Sequence, residues 1–150
     1  MKKVKLILMV CCLGISLAAK AQTVIDWETI KGVEYEKNDP RDLSKTGVFN
    51  PPTFDASIKE LDGQIIKIAG FFLNIPSEDA VYMLSKNPFA SCFFCGEGGA
   101  ETIMELHFKE EPDFEMDDLV YVTGKLKLNY TDTAHCYYIL EDAEGFVLKM

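Results

Sequence analysis

The chain has 150 residues, with 15 Lys and Arg against 24 Asp and Glu, two His and five Cys. A length of this order predicts one domain, and 48% hydrophobic with 26% charged residues is a globular composition that excludes disorder and fibrous repeats. The formal net charge of −9 excludes the Lys/Arg-rich surface that nucleic-acid backbones require.

The first residues, Met1-Lys2-Lys3-Val4-Lys5, are a basic start to an uncharged, mostly apolar stretch from Leu6 to Ala19. That stretch is too short to span a bilayer, and Ala19-Lys20-Ala21 offers the small residues a signal peptidase reads, so residues 1–21 are expected to be a signal peptide cleaved before Gln22. Cys11 and Cys12 lie in the apolar run, preceded by Val10 and Cys11 rather than by the small residue of a lipobox, and are read as discarded with the signal. Cleavage removes Lys2, Lys3, Lys5 and Lys20 and no acid; 15 less these four leaves 11 basic against 24 acidic residues, a net charge of −13. The expected protein is periplasmic or secreted, binds no nucleic acid and has no membrane span after cleavage. An envelope protein is the partner class left open.

Residues 22–53 read as an N-terminal extension in which Thr23–Glu36 supplies an edge strand that lays Trp27 on the core. Asn38-Asp39-Pro40 and Asn50-Pro51-Pro52 are turn signals with irregular chain between them. Phe54, Ile58 and Leu61 have helical spacing, and Asp62-Gly63 ends that helix. Strands are then predicted over Gln64–Ile75 with a bend at Gly70, Ala80–Leu84 after the Pro76-Ser77-Glu78-Asp79 turn, and Thr102–Phe108, whose alternation implies half burial. Leu119–Leu128 with Gly124, then Tyr137–Leu140 and Phe146–Leu148 split by a Glu144-Gly145 turn, complete the set. Short antiparallel strands with glycine bends predict a mainly β fold, a small OB-like barrel over residues 54–150 with one short helix.

Leu61-x-Gly63, Ile66-x-Ile68-x-Gly70-Phe71, Tyr82-Met83-Leu84 and Cys92-Phe93-Phe94-Cys95-Gly96 together resemble the DUF3299 family of small exported bacterial proteins, over residues 54–148. The resemblance implies an OB-like barrel behind a signal peptide and implies no enzyme activity. In some members the genomic setting hints at metal traffic.

Three cysteines remain after cleavage: Cys92, Cys95 and Cys136. A redox dithiol at Cys92-x-x-Cys95 needs a helix N-terminus or a nearby cation to favour thiolate. Gly96-Glu97-Gly98-Gly99 follows instead, and no Lys or Arg lies between Lys86 and Lys109. A thiolate knuckle for zinc or another soft metal fits the spacing and requires further ligands. In an up-and-down barrel the loop carrying Cys92 and Cys95 and the Asn129–Cys136 connection share one end, which makes His135 and Cys136 the candidate completing ligands, with His107 nearer the opposite end. A structural role for the thiols is the alternative.

His107 reads as a solvent-facing or hydrogen-bonded strand residue, and the acidic run Glu110–Asp118 as a solvated connection, since it lacks the EF-hand pattern. No nucleophile elbow, phosphate-binding loop or His-Glu-x-x-His occurs. The functional expectation is an exported, non-enzymatic envelope accessory protein that binds a soft metal, zinc first, at Cys92, Cys95, His135 and Cys136. Its alternative is a protein- or ligand-binding module with structural cysteines. A thiol-disulfide oxidoreductase is the remaining enzymatic option.

Overall fold

The computed structural model describes residues 22–35, 51–76, 81–92 and 98–149. The signal segment, Asn38-Asp39-Pro40 and Cys95 lie outside the described residues.

Two strands carry the barrel, and the alternation of apolar residues explains both. In β4 (Ile65–Ile75), Ile66, Ile68 and Phe72 point inward; in β7 (Leu119–Leu128), Val120, Val122, Leu126 and Leu128 do the same. The outward positions of β7 hold Tyr121, Thr123, Lys125 and Lys127, the half-wet pattern of an antiparallel strand. β4 is shared between two neighbours, pairing with β7 over Ile65–Phe71 and with β5 (Val81–Ser85) over Phe71–Ile75. Gly70 stands at the changeover. A Cβ there would lie 2.7 Å from the Ser85 carbonyl oxygen and 2.8 Å from Leu84 Cγ, so the bend predicted from sequence is a point of close backbone approach.

β5 pairs with β6 (Ile103–Phe108), β6 runs parallel to β8 (Tyr138–Val147), and β8 pairs with β7, which returns to β4. Five strands therefore close in the order β4-β5-β6-β8-β7, a Greek-key barrel of the OB type. The up-and-down order expected from the sequence is corrected here: β8, not β7, lies beside β6. The expected break in the last strand is corrected too. Glu144 and Gly145 are not a turn but pair with Thr123 and Val122. The irregularity is a bulge at Asp142, whose φ is 54°, where the β8 register shifts against both neighbours.

The N-terminal chain closes one side. β1 (Thr23–Val24) adds to β4 in parallel, while β2 (Val33–Glu34) pairs with β3 (Thr53–Phe54) outside the main sheet. The expected edge strand is thus two fragments separated by a turn through Trp27–Ile30. Trp27 does reach the core, donating its Nε1–H to the Ala69 carbonyl at 2.8 Å. The helix α1 is shorter than its spacing predicts, Ala56–Lys59, with Ile58 buried.

Inside the barrel Ile66, Ile68, Phe72, Leu84, Met104, Val122, Leu126, Tyr138 and Leu140 form one core. The outer face of β4, β5 and β6 is also covered. Cross-strand pairing puts Leu73, Met83 and Glu105 in one row, and all three are buried. This is why β6 does not alternate as predicted: Ile103, Met104, Glu105 and Leu106 are buried in succession.

Candidate functional site

Glu105 is an acid on an outward-facing strand position that is nevertheless only 7% exposed. Burying a carboxylate is costly unless its oxygens are hydrogen-bonded. Here Oε1 lies 2.7 Å from His107 Nε2 and 2.7 Å from His135 Nδ1, and Oε2 accepts the Cys136 backbone N–H at 3.1 Å. Burial on its own would raise the Glu105 pKa; the hydrogen bonds from His107, the Cys136 amide and His135 outweigh it and hold the carboxyl below its usual range. An ionised carboxylate only accepts. Each imidazole therefore turns an N–H toward Oε1, His107 through Nε2 and His135 through Nδ1.

Two elements deliver the histidines. His107 is two residues beyond Glu105 on β6 and so shares its face. His135 comes from the 129–137 connection, which a buried Asn129 holds in shape. Asn129 Nδ2 faces the carbonyls of Asp132, Cys136 and His135 at 2.8, 3.1 and 3.2 Å, and its Oδ1 accepts the N–H groups of Asp132 and Thr131 at 2.9 and 3.2 Å. Asp132 Oδ1 accepts the Ala134 N–H at 3.0 Å. Asn and Asp side chains readily replace backbone partners in this way, so Asn-Tyr-Thr-Asp-Thr-Ala-His-Cys folds as a pinned turn. It lies across the outer face of β6. The parallel pairing of β6 and β8 explains the encounter, because their incoming connections arrive at one end of the barrel.

The ligand-capable atoms of Glu105, His107 and His135 all lie within 4.8 Å of one another. The two rings meet edge to face with centroids 5.7 Å apart, and both remain partly exposed, their side chains at 45% for His107 and 38% for His135. A buried carboxylate with two accessible imidazoles is the donor set of three-ligand zinc sites that leave further positions open.

Of the residues predicted from sequence, His135 is in this cluster, while Cys92 and Cys136, the two described thiols, are not. Cys92 is a free thiol with no exposure, packed with Leu73 and Met83 on the outer face. It follows a 3₁₀ turn (Phe89–Ser91) in extended conformation, at the turn's C-terminal end. Cys136 is also free, with its Sγ 3.7 Å from Met83 Sδ. Burial, with the Glu105 charge adding to it, pushes this thiol up to about 12. The placement of His107 is corrected: it lies beside His135, because the 129–137 connection reaches over the strand. Its hydrogen bond to Glu105 agrees with the strand-residue reading. Glu105 was missed altogether. Its one sequence signal is an acid between Met104 and Leu106, in a strand otherwise apolar up to His107.

The other candidates resolve simply. Phe72 and Tyr138 are the inward members of their aromatic pairs, with Phe71 and Tyr137 half-buried. In the acidic connection, Asp118 Oδ2 accepts the Glu115 N–H at 2.8 Å and Asp117 Oδ1 the Phe89 N–H at 2.7 Å, so these carboxylates shape loops. No helix among the described residues is long and apolar enough to cross a membrane.

No family model and no curated protein matches the chain. In fold it is similar to the crystal structure of a DUF3299 family protein from Pseudomonas aeruginosa PAO1, with a TM-score of 0.54 and 16% identity over 87% of this chain and 99% of that one. The likeness shows a shared barrel fold.

Proposed function

We propose that the protein is an exported, non-enzymatic accessory protein of the cell envelope that holds a divalent transition-metal ion, zinc in the first place, at Glu105, His107 and His135. The observation that carries this reading is the convergence of three ligand-capable atoms within 4.8 Å, on one buried carboxylate and two partly exposed rings. Two imidazoles and a carboxylate suit zinc and its first-row neighbours better than calcium or magnesium, which prefer all-oxygen sets. His107 Nε2, His135 Nδ1 and a Glu105 carboxylate oxygen would hold the ion, with each ring's remaining proton on its other nitrogen. For His135 that nitrogen is Nε2, which already stands 3.9 Å from Asp132 Oδ2, the kind of outer carboxylate that orients a ligating histidine. The signal-like start supports export. The Cys92 side chain is closed off among Leu73 and Met83, which favours the histidine cluster over the cysteine knuckle.

The test is a zinc titration of the metal-free chain followed by calorimetry. Glu105→Gln, His107→Ala and His135→Ala are each expected to lose the binding, while Cys92→Ser with Cys95→Ser retains it. Retention in the first three and loss in the cysteine pair would return the site to the knuckle.

A second reading, a module that binds a small ligand, has one observation in its favour. A cleft of about 420 Å³ opens where β6 and β8 meet the acidic connection, lined by Phe108, Phe114, Lys109 and Glu144 among others. Its volume is that of a small-molecule site, and Lys109 spans it to Glu144 at 3.0 Å.

A further inference from the structure

We propose that the sulfur cluster beneath Glu105, Met83 with Cys136 and Cys92 beside them, binds a soft monovalent cation, copper(I). This site is separate from the Glu105 cluster in its donors and stands on different observations.

Met83 is the cross-strand partner of Glu105, so its thioether lies on the same outer face. Cys136 comes from the connection that supplies His135, and its Sγ stands 3.7 Å from Met83 Sδ. Two sulfurs each about 2.3 Å from one ion at a tetrahedral angle are about 3.8 Å apart, taking the zinc–thiolate length as the guide. The pair is therefore already at ligand spacing. Cys92 packs into the same small cluster with Leu73, and Ile75 and Val81 border it. Three sulfurs, one from β5 and two from connections, share a cluster whose other members are aliphatic, with the Glu105 carboxylate on its Cys136 side.

Two physical arguments select the ion. Thioether and thiolate are soft donors, which prefer copper(I) to the harder divalent ions. The surroundings also limit charge, because an apolar cluster tolerates buried charge only when it is paired. A monovalent ion that replaces the thiol proton leaves the local charge beside the Glu105 carboxylate as it was, whereas a divalent ion changes it. Binding replaces the Cys136 S–H bond by an S–Cu bond, and the displaced proton goes to solvent, with no change of oxidation state. Access is through Cys136, which is only partly buried, while Met83 and Cys92 form the closed floor.

The test titrates the reduced, metal-free chain with silver(I), a redox-inert stand-in for copper(I), and reads adducts by native mass spectrometry. A single adduct is expected that persists in His107→Ala, is weakened roughly tenfold or more by Met83→Leu and is absent in Cys136→Ser. Met83→Leu nearly conserves volume and leaves the fold in place, so the answer does not depend on the cysteine variant folding. Wild-type binding by both Met83→Leu and Cys136→Ser would overturn the proposal, as would loss only in Cys95→Ser, which assigns silver to the other loop thiol. Loss in His107→Ala with retention in Cys136→Ser would place the ion at the Glu105 cluster and overturn it equally. Failure of zinc binding would leave this result untouched.

Discussion

The inside of the barrel and the outer face of β6 are both buried, and they are buried by opposite means. The interior is filled by side chains from alternating positions, such as Ile68, Phe72, Val122 and Leu126, with no charge among them. The outer face holds a carboxylate whose burial is tolerated because two histidines and an amide converge on it. Apolar packing is non-directional and forgiving of side-chain identity. The Glu105 cluster is directional, and each partner has a fixed place. The first region is held by apolar burial, and the second by hydrogen bonds that converge on one buried charge.

The contrast is broken most strongly in the interior. Phe72 is 1% exposed and meets Tyr82, Phe108 and Phe114 at ring-centroid distances of 5.7, 6.4 and 5.4 Å. Phe72→Ala is expected to lower the unfolding free energy by about 3–5 kcal/mol, measured by urea denaturation, while zinc binding at the outer face survives wherever the chain stays folded.

Asn129→Ala strikes the connection rather than the core. It removes the side chain that holds five backbone groups of the pinned turn, with an expected cost of about 1–3 kcal/mol. Unlike the Phe72 change, it should also weaken zinc binding, because His135 loses its placement. Calorimetry on the folded variant distinguishes the two effects.

The Glu105 carboxyl sharpens the comparison through pH. Its folded-state pKa is lowered, so it contributes stability that is present above the unfolded carboxylate value and lost as pH falls through the folded one. In the metal-free chain, Glu105→Gln is therefore expected to flatten the acid side of the stability profile below about pH 4.5. Urea midpoints across that range, compared with wild type, measure the difference; superimposable profiles would count against the hydrogen-bonded carboxylate. The smallest effect belongs to the surface. Glu28 bridges Lys86 at 2.8 Å and Lys31 at 2.9 Å with all three side chains exposed. Glu28→Ala should leave both stability and zinc binding within experimental error, since exposed pairs contribute little.

The same contrast explains what the sequence disclosed. The interior was legible because a strand writes its buried face at every second residue. Leu119–Leu128 appears with its predicted ends, and the bend at Gly70 is where expected. Strand order was not legible, because nothing in β7 or β8 says which lies next to β6; the parallel pairing appears only when the chain closes. Asp142 illustrates a second limit, since a bulge in β8 let Glu144-Gly145 pass for a turn. The site was half legible. Topology singled out His135, though through the wrong barrel order. Glu105 escaped because its significance lies in partners at positions 107, 135 and 136, two of them some thirty residues away. The cysteine spacing drew attention to the sulfurs, yet Cys92 packs with Leu73 and Met83 and is not among the groups that converge on Glu105.

In the proposed function, nitrogen and oxygen donors rather than thiolates would hold the zinc. X-ray absorption at the zinc edge of the loaded chain tests it most directly. The expected first shell holds light scatterers only, at about 2.0–2.1 Å, altered by Glu105→Gln and unchanged by Cys92→Ser. A sulfur shell at about 2.3 Å would contradict it and place the metal on the cysteines.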